Sequence, residues 1–206
     1  MRRVGDTAIA AVTAVALCTG AWLLAGGTGA EAPPQPSAAQ ARTAQTGRGA
    51  AAPALPPSPP DRVRIPAIGV DAPMTGLGLT ETGSLDVPPA EDENLAGWYE
   101  AGTTPGERGT AIVAGHVDNA RGPAVFYRLG ALKKGAVIEV DRRDGGVAVF
   151  TVDAVEVYAA KDFPDAKVYG AADRPELRVI TCGGGYSRST GYQGNVVVFA
   201  HLTGSR

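Results

Sequence analysis

The sequence contains few of the residues that carry most enzyme chemistry. Its 206 residues include only two cysteines and two histidines. Cys18 lies within an apolar N-terminal stretch. Outside that stretch, the chain contains no second cysteine with which Cys182 could form a disulfide. Because cysteines of exported proteins usually pair, the lone thiol has two interpretations. It is either a buried structural residue or a nucleophile.

The sequence also lacks an excess of charge of either sign. Its 19 basic and 21 acidic residues give a formal net charge of −2. This balance gives no reason to expect a nucleic-acid partner. The acidic run Glu91-Asp92-Glu93 is typical of a solvated loop, so we predict neither a metal site nor another cofactor.

The N-terminal region is unusual because residues 7–27 carry no charge. A run of about 20 apolar residues can cross a bilayer as a helix, and Arg2 and Arg3 favour a cytoplasmic N-terminus. We therefore predict that residues 1–27 are a membrane anchor or signal segment. As an anchor they would make the protein a single-pass protein of the cell membrane, with its folded part outside the cytoplasm. The alternative is a signal peptide cleaved after Ala30.

Two further regions follow. Residues 28–60 are rich in proline and alanine, a composition that cannot bury a core and predicts a disordered linker. Residues 61–206 have the length and composition of one folded domain.

The folded region consists of short β-type segments separated by turn residues. Residues 62–70 alternate and predict an edge strand because of Pro66, and Asp144-Gly145-Gly146 predicts a hairpin. Further strands are predicted at 109–115, 136–140, 147–158, 177–181 and 195–200, and short helices at 123–129 and 162–169. Seven or eight such strands indicate an all-β fold, a closed or nearly closed barrel.

Two predicted strand ends carry the residues with catalytic potential. One strand leads into Gly115-His116-Val117-Asp118, and another leads into Cys182-Gly183-Gly184. Attack of a thiol on an amide needs a thiolate, an acid for the leaving amine and donors for the oxyanion. Cys182, His116 and one arginine would meet these three needs. His201, after the last strand, is predicted to be structural or exposed.

These two motifs, together with Gly97-Trp98-Tyr99, resemble the sortases, and most closely the class F sortases of actinobacteria. The resemblance covers about residues 61–202. It implies a closed eight-stranded sortase-type β-barrel with one or two short helices. It also implies a cysteine transpeptidase that cleaves a Leu-Pro-x-Thr-Gly-type sorting signal through a thioester. The surface protein would then pass to an amine acceptor of the cell wall, such as a peptidoglycan precursor. A monomer tethered to the cytoplasmic membrane is expected.

The resemblance assigns catalysis to Cys182 and His116, whereas the family's arginine is less easily placed. Many relatives carry it just before the last strand, where this chain has Thr190-Gly191-Tyr192-Gln193-Gly194-Asn195 and no arginine. Arg188 is the predicted catalytic arginine. Arg178 is the alternative, because strand alternation places it on the same face as Cys182. If neither reaches the thiol, Asn195 or backbone groups would have to polarise the substrate carbonyl.

Four residues are predicted to contact substrate, namely Thr181, Trp98, Asp118 and Arg178. Three of them have an alternative: aromatic residues such as Trp98 are often packing residues in small barrels, Asp118 could orient His116 or cap a turn, and Arg178 could be a solvated strand residue.

Two other functions compete with the sortase interpretation. L,D-transpeptidases also use cysteine and histidine, but they keep the two close in sequence, unlike Cys182 and His116 here. A catalytically weak or inactive cell-wall β-barrel binding module is favoured only by the displaced arginine.

Overall fold

The computed structural model describes residues 32–41, 52–81, 83–187, 189 and 191–206. The predicted membrane anchor or signal segment, residues 1–27, lies outside the described residues. Within the described ranges, no helix is long and apolar enough to cross a membrane.

Strands dominate the described part of the chain. In chain order they are β1 (Pro60–Ile65), β2 (Val70–Leu77), β3 (Ala96–Tyr99), β4 (Gly109–Ala114), β5 (Asp118–Asn119), β6 (Gly122–Pro123), β7 (Val137–Arg142), β8 (Val147–Ala159), β9 (Pro175–Ser187) and β10 (Gly191–Ser205). The helices are short: Ala38–Ala41 and Asp165–Tyr169 are α-helical, and Pro66–Ile68, Leu129–Ala131 and Ala160–Asp162 form 3-10 turns.

Eight of these strands close into a barrel in the order β1-β2-β3-β4-β9-β10-β8-β7, with β7 returning to β1. The pairs β2–β3 and β4–β9 are parallel, and the other pairs in the barrel are antiparallel. The predicted closed eight-stranded β-barrel is therefore confirmed. β5 and β6 form a separate small hairpin directly after β4.

Two local predictions need correction. The single strand predicted over residues 62–70 is two strands, because Pro66 has no backbone N–H and begins a 3-10 turn. Gly69 ends that turn with φ of +72°, a conformation that favours glycine. The helix predicted over residues 123–129 is instead a turn region after β6, followed by the 3-10 turn Leu129–Ala131.

The interior of the barrel is filled by alternate residues of the strands. On β9, Leu177 and Val179 point inward, whereas Ile180 belongs to a second apolar cluster on the outer face. Phe126 is fully buried and arrives from the connection after β6, so this connection packs into the core rather than over it. Gly115 leaves room for it, because a Cβ at Gly115 would lie 2.7 Å from the Phe126 ring.

The second cluster covers the outside of β4, β9 and β10. It combines Ile112, Ile180, Val197 and Phe199 with Val168 of the short helix Asp165–Tyr169. This apolar outer surface lies at the end of the barrel that carries the functional residues described below.

Parts of the proline-rich region lie against the barrel. The Leu55 amide donates to the Gly106 carbonyl at 2.8 Å, and the Ser58 amide donates to Thr104 Oγ1 at 3.1 Å. The buried guanidinium of Arg142 donates to the Pro105 carbonyl at 2.9 Å and also to Pro56. These contacts provide the backbone partners that a proline-rich segment cannot provide for itself.

Replacement of Phe126 by alanine tests the role of this core residue. The variant Phe126→Ala should lose about 3–5 kcal/mol of unfolding free energy, because the ring is fully buried and its loss leaves a cavity. Chemical denaturation monitored by circular dichroism measures the change. The half-buried Phe163 is the control, and Phe163→Ala should cost clearly less; equal losses would contradict the packing described here.

Candidate active site

The end of β4 lies beside the middle of β9. β4 and β9 are parallel, with Ala114 opposite Ile180, so His116, just after β4, lies beside the Thr181–Cys182 segment of β9. Cys182 was predicted to follow a strand end, but it lies within β9, which continues to Ser187 because it remains paired with β10. The Gly115 amide donates to the Ile180 carbonyl at 3.2 Å. In return, Thr181 Oγ1 donates to the Gly115 carbonyl at 2.8 Å. These two bonds join Gly115, which precedes His116, to the two residues that precede Cys182.

His116 is held from two sides. Its carbonyl accepts a hydrogen bond from the Phe126 amide at 3.0 Å, which links it to the core. Its side chain is half-buried, and Nε2 lies 2.7 Å from the Pro88 carbonyl oxygen. Because a carbonyl oxygen only accepts, Nε2 carries the proton of this bond. In the neutral ring, Nδ1 is then the unprotonated nitrogen.

Cys182 lies in β9 on the wall of a cavity of about 1030 Å³ that His116 also lines. Its side chain is exposed to solvent on one side. The surrounding walls nevertheless displace enough water to raise the pKa of the thiol, and the Asp118 carboxylate raises that pKa further. Cys182 therefore rests as a neutral thiol at neutral pH.

Asp118 connects the histidine segment to the last barrel strand. The Tyr192 hydroxyl, in β10, donates to an Asp118 carboxylate oxygen. Burial raises the pKa of Tyr192, and the bond to Asp118 raises it further, so the phenol keeps the proton that it donates. Asp118 thus faces Tyr192 and acts on the Cys182 thiol through its charge. Sequence reasoning missed Tyr192 because no local motif marks a contact between residues so far apart.

The structure describes only one of the two candidate arginines, Arg178. Arg188 lies outside the described residues. Arg178 is buried, its guanidinium donates to Glu176 at 2.7 Å, and it stacks on Phe199 with 4.6 Å to the ring centroid. Burial of Glu176 opposes its charge, but the hydrogen bonds from Arg174 and Arg178 outweigh that effect and lower the pKa of its carboxyl. Arg178 is not among the described residues that line the cavity.

The other residues considered from the sequence fall into two groups: one lines the cavity, and the others are buried in the barrel wall. Thr181 lines the cavity. Trp98 is buried, its indole N–H donates to the Thr103 carbonyl at 3.0 Å, and Trp98 is not among the described residues that line the cavity. His201 is buried in the barrel wall, where Nδ1 lies 2.8 Å from Asp153. Among the described cavity residues the one arginine is Arg108, which precedes β4 and was not singled out from the sequence.

The cavity floor is apolar and its rim is polar. The β2–β3 connection supplies the covering residues, and β4 and β9 supply the floor. The apolar lining includes Leu79, Leu85, Val87, Ile112 and Ile180. Within the described ranges, no group of three or more His, Cys, Asp or Glu residues is arranged to hold a metal ion.

The family comparison agrees with this fold. A family model described as "Sortase domain" matches residues 63–203. Since this match covers more than half of the chain, the protein belongs to the sortase family. Sortases are cysteine transpeptidases, so the predicted enzyme class is confirmed. A comparison with curated proteins found no match.

Solved sortase structures share the fold. The SrtA sortase from Actinomyces oris aligns with a TM-score of 0.55 and 19% identity, covering 77% of this chain and 89% of that one. Sortase A from Listeria monocytogenes aligns with a TM-score of 0.52 and 16% identity over 70% of this chain and 87% of its own. A Clostridium perfringens sortase D5 transpeptidase aligns with a TM-score of 0.51 and 22% identity, covering 69% of this chain and 78% of that one. At such identities the likeness establishes the fold.

The Asp118 carboxylate provides a test of the electrostatics around the thiol. In Asp118→Asn the pKa of Cys182 should fall, because one of its two causes, the nearby negative charge, is removed while burial remains. The rate of iodoacetamide alkylation, followed against pH, should then rise at a lower pH than in the parent. Tyr192→Phe is the control, since it removes the hydroxyl and keeps the charge. An unchanged or higher midpoint in Asp118→Asn would contradict this account.

Proposed function

We propose that this sortase cleaves a Leu-Pro-x-Thr-Gly-type sorting signal and transfers the attached surface protein to an amine acceptor of the cell wall. The observation that carries the proposal is the cavity that Cys182 and His116 share where the end of β4 is hydrogen-bonded to β9. Cys182 Sγ attacks the threonine carbonyl and forms a thioester as the glycine amine leaves. An acceptor amine then resolves the thioester.

The shape and chemistry of the cavity support an extended, largely apolar peptide as substrate. The floor residues Ile112 and Ile180 belong to the apolar outer cluster, and Leu79 and Val87 cover it from the β2–β3 connection. Such a surface suits the leucine and proline of the signal. Thr181 lies beside the thiol and is proposed to contact the signal, whereas the packing of Trp98 leaves it no proposed contact.

His116 is proposed to move the proton. With Nε2–H engaged by Pro88, Nδ1 of the neutral ring accepts the proton of the Cys182 thiol and returns it to the departing glycine amine. The high pKa of the thiol means that little thiolate forms before substrate arrives. Proton transfer to His116 therefore accompanies attack.

The setting of the enzyme is also proposed. Sortases are cell-surface enzymes. Residues 1–27 would anchor this one in the cytoplasmic membrane, residues 28–60 would space it from the bilayer, and residues 61–206 would form the catalytic domain. We assign it to the class F sortases of actinobacteria, on the motifs around His116 and Cys182, and expect a monomer that uses a peptidoglycan precursor as acceptor.

Cleavage of a labelled signal peptide tests the reaction. The full-length protein should cleave a fluorescence-quenched Leu-Pro-Ala-Thr-Gly peptide and, with an added peptidyl amine, join the two in a product visible by mass spectrometry. Cys182→Ala and His116→Ala should each lose at least about 10²-fold in rate, since each removes a reacting group. A peptide with the same residues in scrambled order is the control. Equal cleavage by Cys182→Ala would overturn the proposal.

A pair of arginine variants tests which guanidinium assists the reaction. Arg188→Ala should lower the rate of acylation and leave the unfolding free energy nearly unchanged. Arg178→Ala should do the reverse, because it removes the buried partner of Glu176 and the stacking on Phe199. Single-turnover acylation and urea denaturation measure the two effects. Loss of acylation confined to Arg178→Ala, at full stability, would transfer the role to Arg178.

A further inference from the structure

We propose that the side-chain amide of Asn195 donates a hydrogen bond to the oxyanion that forms when Cys182 attacks its substrate. This inference rests on the proposed function, because it assigns a second group to the same acyl-transfer step.

The register of the barrel places the two residues side by side. Asn195 of β10 is the antiparallel partner of Cys182 of β9. Residues directly opposite in such a pair have Cβ atoms about 4.5–5.5 Å apart and project from the same face. Both side chains line the cavity. An amide on Asn195 can therefore reach an atom bonded to the Cys182 sulfur.

Asn195 is also a polar residue that directly precedes the apolar outer cluster along the outer face of β10. Along β10, Val197 and Phe199 continue the same face and belong to the apolar outer cluster. Its partner on the other side is Tyr158, whose hydroxyl is already given to Glu156. Among the described residues, the half-buried amide of Asn195 makes no hydrogen bond. A half-buried amide without a protein partner is free to bind a ligand atom.

The chemistry of acylation requires a donor at this place. As the Sγ–C bond forms, the electron pair of the carbonyl π bond moves to oxygen, and the thiol proton passes to His116. The pair then returns, the C–N bond breaks, and the amine leaves with the proton from His116. A preorganised donor about 2.7–3.1 Å from the transient oxyanion stabilises this state more than the ground state. A neutral amide does so without lowering the pKa of the thiol, which agrees with the raised pKa of Cys182.

Single-turnover acylation of the full-length protein by the signal peptide tests the assignment. Asn195→Ala should slow acylation about 10²–10³-fold, as loss of an oxyanion donor does elsewhere, with little change in the KM for the peptide. Asn195→Asp preserves the size of the side chain but has no donor at neutral pH, so it should be at least as slow. The control is Gln193→Ala, which removes an exposed amide from the same strand and should keep the parent rate.

A second readout separates oxyanion binding from a structural role. A signal-peptide aldehyde forms a hemithioacetal with Cys182, and its oxygen occupies the oxyanion position. Asn195→Ala should weaken this inhibitor about tenfold or more, the effect of one hydrogen bond, while iodoacetamide should alkylate Cys182 at the parent rate. If the parent acylates and Asn195→Ala keeps both its acylation rate and its aldehyde affinity, the inference is wrong. No acylation by the parent would instead refute the proposed function.

Discussion

The parallel pairing of β4 and β9 is the constraint on which the site depends. It brings the end of β4 beside the middle of β9, two segments that are distant in sequence. The hydrogen bonds of Gly115 with Ile180 and Thr181 extend the pairing by one step beyond β4. These bonds fix the position of the residue before His116 relative to the residues before Cys182. A thiol and an imidazole must be placed within a fraction of an ångström for proton transfer, and a hydrogen-bonded sheet provides such rigidity.

Around this pair lie the cavity walls, the Asp118 carboxylate and the Pro88 carbonyl. Burial by the walls and the charge of Asp118 keep Cys182 protonated, and the Pro88 carbonyl accepts the hydrogen bond from Nε2 of His116. The resting site therefore holds a neutral thiol in the cavity that His116 also lines. In the proposed reaction this thiol attacks a bound carbonyl while its proton is transferred. This arrangement limits reaction with the oxidants that a thiolate outside the cytoplasm would meet.

The sequence predicted the barrel and marked Cys182 and His116 as candidates, but it missed the long-range contacts. Alternating segments revealed most strands, since burial of one face imposes a period of two residues. Alternation also placed Arg178 on the Cys182 face, yet it contained no information on Glu176, whose carboxylate accepts a hydrogen bond from that guanidinium. The contacts of Tyr192 with Asp118 and of Pro88 with His116 join segments that meet only when the barrel closes. Local pattern cannot reveal them.

The central claim is that Cys182 forms a thioester with a sorting-signal peptide. Rapid acid quenching of the full-length protein with a Leu-Pro-Ala-Thr-Gly peptide, followed by digestion and mass mapping, tests it directly. The account predicts an acyl adduct ending in the threonine of the signal, located on the fragment that contains Cys182 and released by hydroxylamine. Cleaved peptide without such an adduct, or an adduct on another residue, would contradict it.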